Sequence, residues 1–324
     1  MNSERQYTLG IDGGGSKTDA VILDGNGVVV GTGIAGGCNA NFTPRRTSAA
    51  AYRRAIKAAL KEAGIAPGDI TRAACTFGAV AEQVFRELGI AAPIRGIGEH
   101  QVVFERAGIT EPRGVALTAG TGSSCVGVDH GERVTVAGGW GPVFGDEGSG
   151  YDIGLQGIKR AILASEGRAP ATALQAAVLT YFAADNIRSA TTNLFSRGIS
   201  QPLIAGFSRE VSRIAYEGDQ TAIEILESAG ETLGELAAFV ARRLFTEEDS
   251  FPFVLAGGVF NIGKLVMDPI HCVLGPQFPK CRIVIGEMRA GEATARLAMK
   301  LAEQSWLPSE LASVQGKPQE GRHC

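Results

Sequence analysis

At 324 residues, with 44% hydrophobic and 20% charged side chains, the chain is long enough for two domains and has the make-up of a globular protein. A formal net charge of −3 gives no electrostatic drive toward nucleic acid or an anionic membrane, so neither is expected as a partner. No apolar run approaches the ~20 residues of a membrane span, and the opening MNSERQYTLG lacks a signal peptide's apolar core, so a cytoplasmic location is expected.

Apolar runs at 7–11, 19–23 and 28–32, with Asp24-Gly25-Asn26-Gly27 as a turn, predict an antiparallel three-stranded opening. An Ala-, Arg- and Lys-rich stretch at 44–63 predicts a helix closed by Gly64. Strands are expected at 70–76 and 93–97, with a helix at 79–88 between them. The strand–glycine turn–strand pattern restarts at 114–118 and is followed by helices at 147–165, 171–183, 201–216 and 220–245. Strands at 253–255 and 282–285 and a final helix at 289–304 complete the pattern. Strands alternating with helices imply an α/β fold with largely parallel sheets covered on both faces. A boundary near residue 115 divides the chain into domains 1–115 and 116–305, and the polar stretch 306–324 is expected to be a disordered tail. The six cysteines (Cys38, Cys75, Cys125, Cys272, Cys281, Cys324) form no C-x-x-C pair and read as buried free thiols plus one in the tail.

Two glycine turns carry the chemistry. Residues 9–19 read LGIDGGGSKTD and residues 116–123 read ALTAGTGS, and both follow an apolar run. Gly13, Gly15, Ser16, Val21 and Gly31 fall on Gly120, Gly122, Ser123, Val128 and Gly138 at a constant spacing of 107. Glycines let backbone N–H groups close on a phosphate, and the hydroxyls of Ser16, Thr18, Thr121 and Ser123 add donors. The repetition points to a duplicated device gripping a polyphosphate, although neither turn fits the Walker or dinucleotide fingerprints. Asp12, just before the first turn, can hold magnesium beside phosphates or cap its own hairpin. A third turn at 256–260, AGGVF, suits either a base lying on Gly257 and Gly258 or simply a tight strand-to-helix bend. The segment GGWGPVFGDEGSGY at 138–151 reads as a loop shaped around a ligand. Trp140 there suits a sugar face, and Asp146 or Glu147 suits hydroxyls or metal, with a helix cap as the other role of Glu147.

The segments 12–19, 119–123, Trp140-Gly141, 145–151 and 256–261 resemble the N-acetylglucosamine kinase family. That family is grouped with the BadF/BadG/BcrA/BcrD-type ATPases in the sugar kinase, heat-shock protein 70 and actin superfamily. The resemblance runs from about residue 7 to residue 301. It implies two ribonuclease-H-like domains around a central cleft, extra helices in the second domain, and ATP with Mg2+ as cofactors. It assigns the first phosphate loop to Gly13, Gly14, Gly15, Ser16, Lys17 and Thr18, with Asp12 associated with the metal. The second phosphate loop falls on Gly120, Thr121, Gly122 and Ser123, and the adenosine loop on Gly257, Gly258 and Asn261. Sugar contacts fall on Asn39, Phe77, Gly78, Trp140, Gly141 and Asp146. Glu99 stands where the family carries its catalytic Asp, one methylene longer, and Phe77 stands where the family often has Gly or Ser.

The implied activity is ATP-dependent phosphorylation of a hydroxyl on an amino sugar, N-acetylglucosamine or a related hexosamine, with Glu99 as base and His100 as the competing base. The partner is then a small-molecule sugar, with a homodimer left open. Two other readings follow from the same residues: an ATPase driving a partner enzyme, and a sugar- or nucleotide-binding sensor without turnover. The first would need a closely spaced cysteine pair that this chain lacks.

Overall fold

The computed structural model describes residues 6–39, 43–76, 78–111, 113–130, 133–196 and 200–303. Packing groups the chain into two compact units, Met1–Gly108 with Glu287–Cys324, and Ile109–Gly286.

The first unit opens with β1 (Tyr7–Gly13), β2 (Lys17–Leu23) and β3 (Val29–Gly36), then α1 (Arg45–Ala63), β4 (Ile70–Cys75), α2 (Ala81–Leu88), β5 (Ile94–Gly96) and α3 (Glu99–Arg106). Its sheet has the order β3-β2-β1-β4-β5; β1 to β3 are antiparallel, and β4 and β5 run parallel to β1. Gly64 ends α1 in the left-handed region at φ 66°, as a C-terminal glycine cap requires. Both faces of β2 are buried, because side chains alternate across a strand. Ala20 and Ile22 pack with Tyr52, Ile56 and Val84 of α1 and α2, while Val21 and Leu23 face the other way.

The second unit repeats this plan. It holds β6 (Gly114–Ala119), β7 (Ser123–Asp129), β8 (Arg133–Gly138), α4 (Gly150–Ser165), α5 (Leu174–Tyr181), α6 (Ile187–Ser196), α7 (Gln201–Tyr216), α8 (Gln220–Arg242), β9 (Pro252–Ala256), α9 (Lys264–Leu274) and β10 (Arg282–Ile285). The order is β10-β9-β6-β7-β8, so β6 to β10 take the places of β1 to β5. Val115, Leu117, Phe253 and Leu255 of the sheet pack with Leu233 and Ala237 of α8 in one large core. The α/β two-sheet architecture expected from the sequence is the one observed.

The helix α6 and the strand β8 go beyond the elements read from the sequence, while α9 follows the strand-to-helix bend at 256–260 and α3 begins at Glu99-His100, helices for which the sequence reading set no bounds. The last helix, α10 (Ala290–Glu303), groups with the first unit, whereas the division at residue 115 assigned it to the second. Its Ala295 packs on Val21 and Leu23, the face of β2 turned away from α1. Gly10 of β1 has no room for a side chain, because a Cβ there would run into Ala295 N and Gly291 O of α10. The free thiols Cys38, Cys75 and Cys125 are buried as expected, but Cys272 is exposed on α9. Phe77, Cys324 and the expected tail lie outside the described residues. No helix among the described residues is long and apolar enough to cross a membrane.

Candidate active site

The site residues read from the sequence fall into two groups, one in each unit. In the first, the strand ladder continues past β1 and β4: Thr76 N donates to Ile11 O at 3.2 Å and Ile97 N to Cys75 O at 2.9 Å. Asp12, Thr76 and the Gly98-Glu99 pair therefore leave the sheet at one edge, the carboxyl edge of three parallel strands, where α/β proteins bind ligands. Thr76 Oγ1 accepts the Gly13 N–H at 2.9 Å and donates to Asp12 Oδ1 at 3.3 Å, tying the turn to the carboxylate. Gly14 N donates to Lys17 O at 2.9 Å and shapes the turn. The amide hydrogens of Gly15 and Ser16 meet no protein acceptor among the described residues.

Asn39 comes to the same turn. Gly14 O accepts from Cys38 N at 3.0 Å and from Asn39 N at 3.2 Å. Gly37 permits this approach, since a Cβ there would collide with Gly15 O. Gly78 is exposed just beyond Thr76.

Burial pushes the half-buried Asp12 carboxyl from 3.8 up to about 6 against the Thr76 hydrogen bond; Asp19 adds to the rise, and Arg106 and Lys17 oppose it. Glu99 is the first residue of α3, where the helix dipole favours a carboxylate. Gly98 N donates to Gln101 Oε1 at 2.9 Å and fixes the entry to that helix. Burial lowers the neighbouring His100 imidazole to about 4, so it is neutral at pH 7.

In the second unit, Gly120 N donates to Gly122 O at 2.9 Å, closing the turn between β6 and β7. The amide hydrogens of Thr121 and Gly122 meet no protein acceptor among the described residues, and a Cβ at Gly120 would meet open space. The GDEGS segment packs under this turn. Ser123 N donates to Asp146 Oδ1 at 3.2 Å, Ser123 Oγ donates to Glu147 O at 2.8 Å, and Gly150 N donates to Gly120 O at 2.8 Å. The cap of α4 is Ser149, which accepts from Asp152 N at 3.2 Å; Glu147 does not take that role. Asp146 is only 4% exposed, and its second oxygen faces Gln201 Nε2 at 3.4 Å. Burial raises its carboxyl above the ordinary value against the Ser123 N–H bond, and nearby Glu147 adds to the rise. Asp146 thus braces the turn between β6 and β7 through one oxygen and turns the other toward Gln201. Trp140 is 75% exposed beside Gly141, which takes φ 80°.

The third turn divides in two. Gly257 is required by packing: it takes φ 122°, and a Cβ would strike Ala119 O. Gly258 faces open space and Asn261 is exposed, so these two are available to a ligand. Three residues with a part in the first group escaped the sequence reading of the site, Asp19, Arg106 and Arg289, while Thr76, which the resemblance placed with Phe77 and Gly78 in a sugar-contacting turn, is hydrogen-bonded to Asp12. Asp19 was in view inside the LGIDGGGSKTD run, but its pairing with a residue 270 positions away leaves no local signal.

This architecture has close counterparts. A solved structure assigned as an N-acetylglucosamine kinase from Chromobacterium violaceum superposes with a TM-score of 0.68 at 23% identity, covering 91% of this chain and 99% of that one. The N-acetylmuramic acid/N-acetylglucosamine kinase of Clostridium acetobutylicum is 28% identical over 288 residues, which is 86% of this chain and 94% of the relative. The N-acetyl-D-glucosamine kinase of Dictyostelium discoideum is 24% identical over 312 residues, 86% of this chain and 93% of that protein. Residues 9–273, which span both glycine turns and the third, match the BadF/BadG/BcrA/BcrD ATPase family. The chain belongs to that family of ATPases.

Proposed function

We propose that this protein is an ATP-dependent kinase that phosphorylates a hydroxyl of an amino sugar, N-acetylglucosamine or a close relative. The observation that carries the reading is the shared carboxyl edge of β1, β4 and β5, which presents Asp12 at the end of β1 and Glu99 just after β5, with β4 between them, beside a turn with uncommitted N–H groups. The names of the two curated relatives support the amino-sugar acceptor.

The donor set suits a nucleotide. Gly15, Ser16, Thr121 and Gly122 supply backbone donors for phosphate oxygens, and Gly258 and Asn261 supply the adenosine end. Among the described residues no cluster of three His, Cys, Asp or Glu side chains could enclose a metal. Magnesium fits without one, because it is usually held by one or two carboxylates and the substrate's own phosphates. Asp12 is the carboxylate in place, and its burial disfavours a lone charge, as a cation partner would correct. Bound magnesium would supply charge neutralisation on the transferring phosphoryl group.

Glu99 is the proposed base, accepting the proton of the sugar hydroxyl, while Asn39, Gly78, Trp140 and Gly141 are the proposed sugar contacts. His100 is a poor base, since its imidazole takes a proton only near pH 4. The test is ADP release with MgATP across N-acetylglucosamine, N-acetylmuramic acid, glucosamine and glucose. Turnover with one or more amino sugars well above glucose is expected. Sugar-independent ATP hydrolysis, unchanged across the panel, overturns the reading.

A further inference from the structure

Asp12 and Asp19 are directly opposite each other in the β1–β2 register. Cross-strand partners carry their Cβ atoms about 5 Å apart on one face, and like charges so placed destabilise a sheet. Asp19 is nevertheless a carboxylate only 2% exposed. Burying such a charge is costly unless it is paired. The pairing is built in: Arg289 Nη2 lies 2.5 Å from Asp19 Oδ1, and Gly291 N, in the first turn of α10, donates to Oδ2 at 3.4 Å. Glycine at 291 lets the helix start lie on the strand, because a Cβ there would come within 2.7 Å of Asp19 O.

Arg289 is itself held in place from α3. Arg106 Nε donates to Met288 O at 2.7 Å, and Met288 N donates to Arg106 O at 3.4 Å. The Arg106 guanidinium also lies within electrostatic reach of both aspartates. Two carboxylates and two guanidiniums thus form one network, and Asp12 is the member that ends at the glycine turn.

We propose that Asp19, locked to Arg289, is a positioning residue that sets the place of the Asp12 carboxylate for magnesium–nucleotide binding. The inference rests on the reading of Asp12 as the metal-associated carboxylate. A plain staple for α10 would need no carboxylate opposite another one; an apolar cross-strand residue would pack the helix without bringing two like charges together. The pair instead fixes the return strand of the hairpin and offsets the charge behind Asp12, as partners beyond the first contact shell commonly do at metal sites.

The test compares Asp19→Asn, Arg289→Gln, the double variant, Asp19→Glu and Asp12→Asn in the full chain. One readout is ADP affinity by calorimetry with and without Mg2+; the other is kcat and KM for MgATP and for the sugar. Asp19→Asn and Arg289→Gln are each expected to weaken the Mg2+-dependent part of ADP binding by about 10- to 100-fold. Metal-free ADP affinity and sugar KM should stay unchanged, and the double variant should lose less than the two losses combined. Asp19→Glu should recover part of the Mg2+ dependence. Arg296→Gln, which breaks the Glu292 pair elsewhere on α10, should behave as wild type. If Asp12→Asn loses the Mg2+ effect while folded Asp19→Asn and Arg289→Gln both keep it, the positioning role is overturned alone. If Asp12→Asn keeps it as well, the metal reading of Asp12 and this inference fall together.

Discussion

The Asp146 carboxylate closes over Gly122: a Cβ built on Gly122 would stand 2.7 Å from Asp146 Oδ2, while Oδ1 accepts from Ser123 N. Asp146 adopts φ 62°, a left-handed conformation uncommon for a residue with a side chain. The strain, the burial and the glycine are therefore one device, in which a short carboxylate holds the second phosphate-type turn from below.

From this pairing Gly122→Ala is expected to act through Asp146. Overpacking of this kind costs about 1–3 kcal/mol, and the displaced carboxylate should weaken nucleotide binding as well. Asp146→Gly suits the positive φ and removes the clash, so Gly122→Ala should cost much less stability in that background. Urea unfolding midpoints of the two single variants and the double variant check this. Additive losses would show that Asp146 is not what the new methyl group meets.

A second expectation concerns pH. The Asp12 carboxyl titrates near 6 in the folded protein against an ordinary 3.8, so between those values the folded state holds a proton that the unfolded state has lost. The ligand-free protein should therefore lose stability as pH rises from about 4 to about 6, by no more than about 1.4 kcal/mol per pH unit. Asp12→Asn should flatten that slope and raise the ligand-free Tm at pH 7 while removing the gain in Tm that MgADP confers. Parallel stability curves for wild type and variant across this window would mean that Asp12 is not the titrating group.

A third expectation tests where α10 belongs. Gly10→Ala places a methyl group against the backbone of Gly291 and Ala295, which cannot give way as a flexible side chain can. A loss of about 4 kcal/mol or more is expected, since such clashes fall in the large tail of mutational effects. Gly14→Ala is the comparison, because a Cβ there would meet only Lys17 O at an ordinary 3.5 Å. Thermal unfolding of both variants reads the difference.

What the sequence made legible was local. The glycine turns announced themselves because Gly13 ends and Gly120 follows a strand buried along nearly its whole length, and Gly64 marked a helix end by its own backbone preference. The ungapped repeat was legible only as far as the turns. Gly13 pairs with Thr18 and Ala119 with Ser123, so residues 14–17 form the turn of the first hairpin and 120–122 that of the second. Val21 and Val128 thus share a spacing without sharing a place in the sheet. The extent of α9, the helix entered after the third turn, was hidden by Pro269 in its interior, which reads locally as a breaker. The long-range pairs, Asp19 with Arg289 and Asp146 with Ser123, depend on tertiary packing and leave no periodic trace. Trp140 was legible as exposed, but its apolar neighbours Val143 and Phe144 are exposed too, at 78% and 83%.

The choice of base gives the last expectation. Glu99 and His100 are adjacent at the start of α3, yet their chemistry separates them. His100 is held neutral, with a pKa of about 4, so a rate depending on its free imidazole would fall only in strongly acid solution. Glu99→Gln keeps the shape of the side chain and removes the charge. It is expected to lower kcat by about 100-fold or more, within the range of general-base losses, with KM for MgATP little changed. Glu99→Asp, which shortens the carboxylate by one methylene, should retain turnover. His100→Ala should leave kcat within a few-fold of wild type, because an imidazole that stays neutral so far down the pH scale is too weak a base to accept the hydroxyl proton. The comparison is made with one amino sugar at saturating ATP, in parallel with ADP binding to show that each variant is folded. Normal turnover in Glu99→Gln together with its loss in His100→Ala would reverse the assignment.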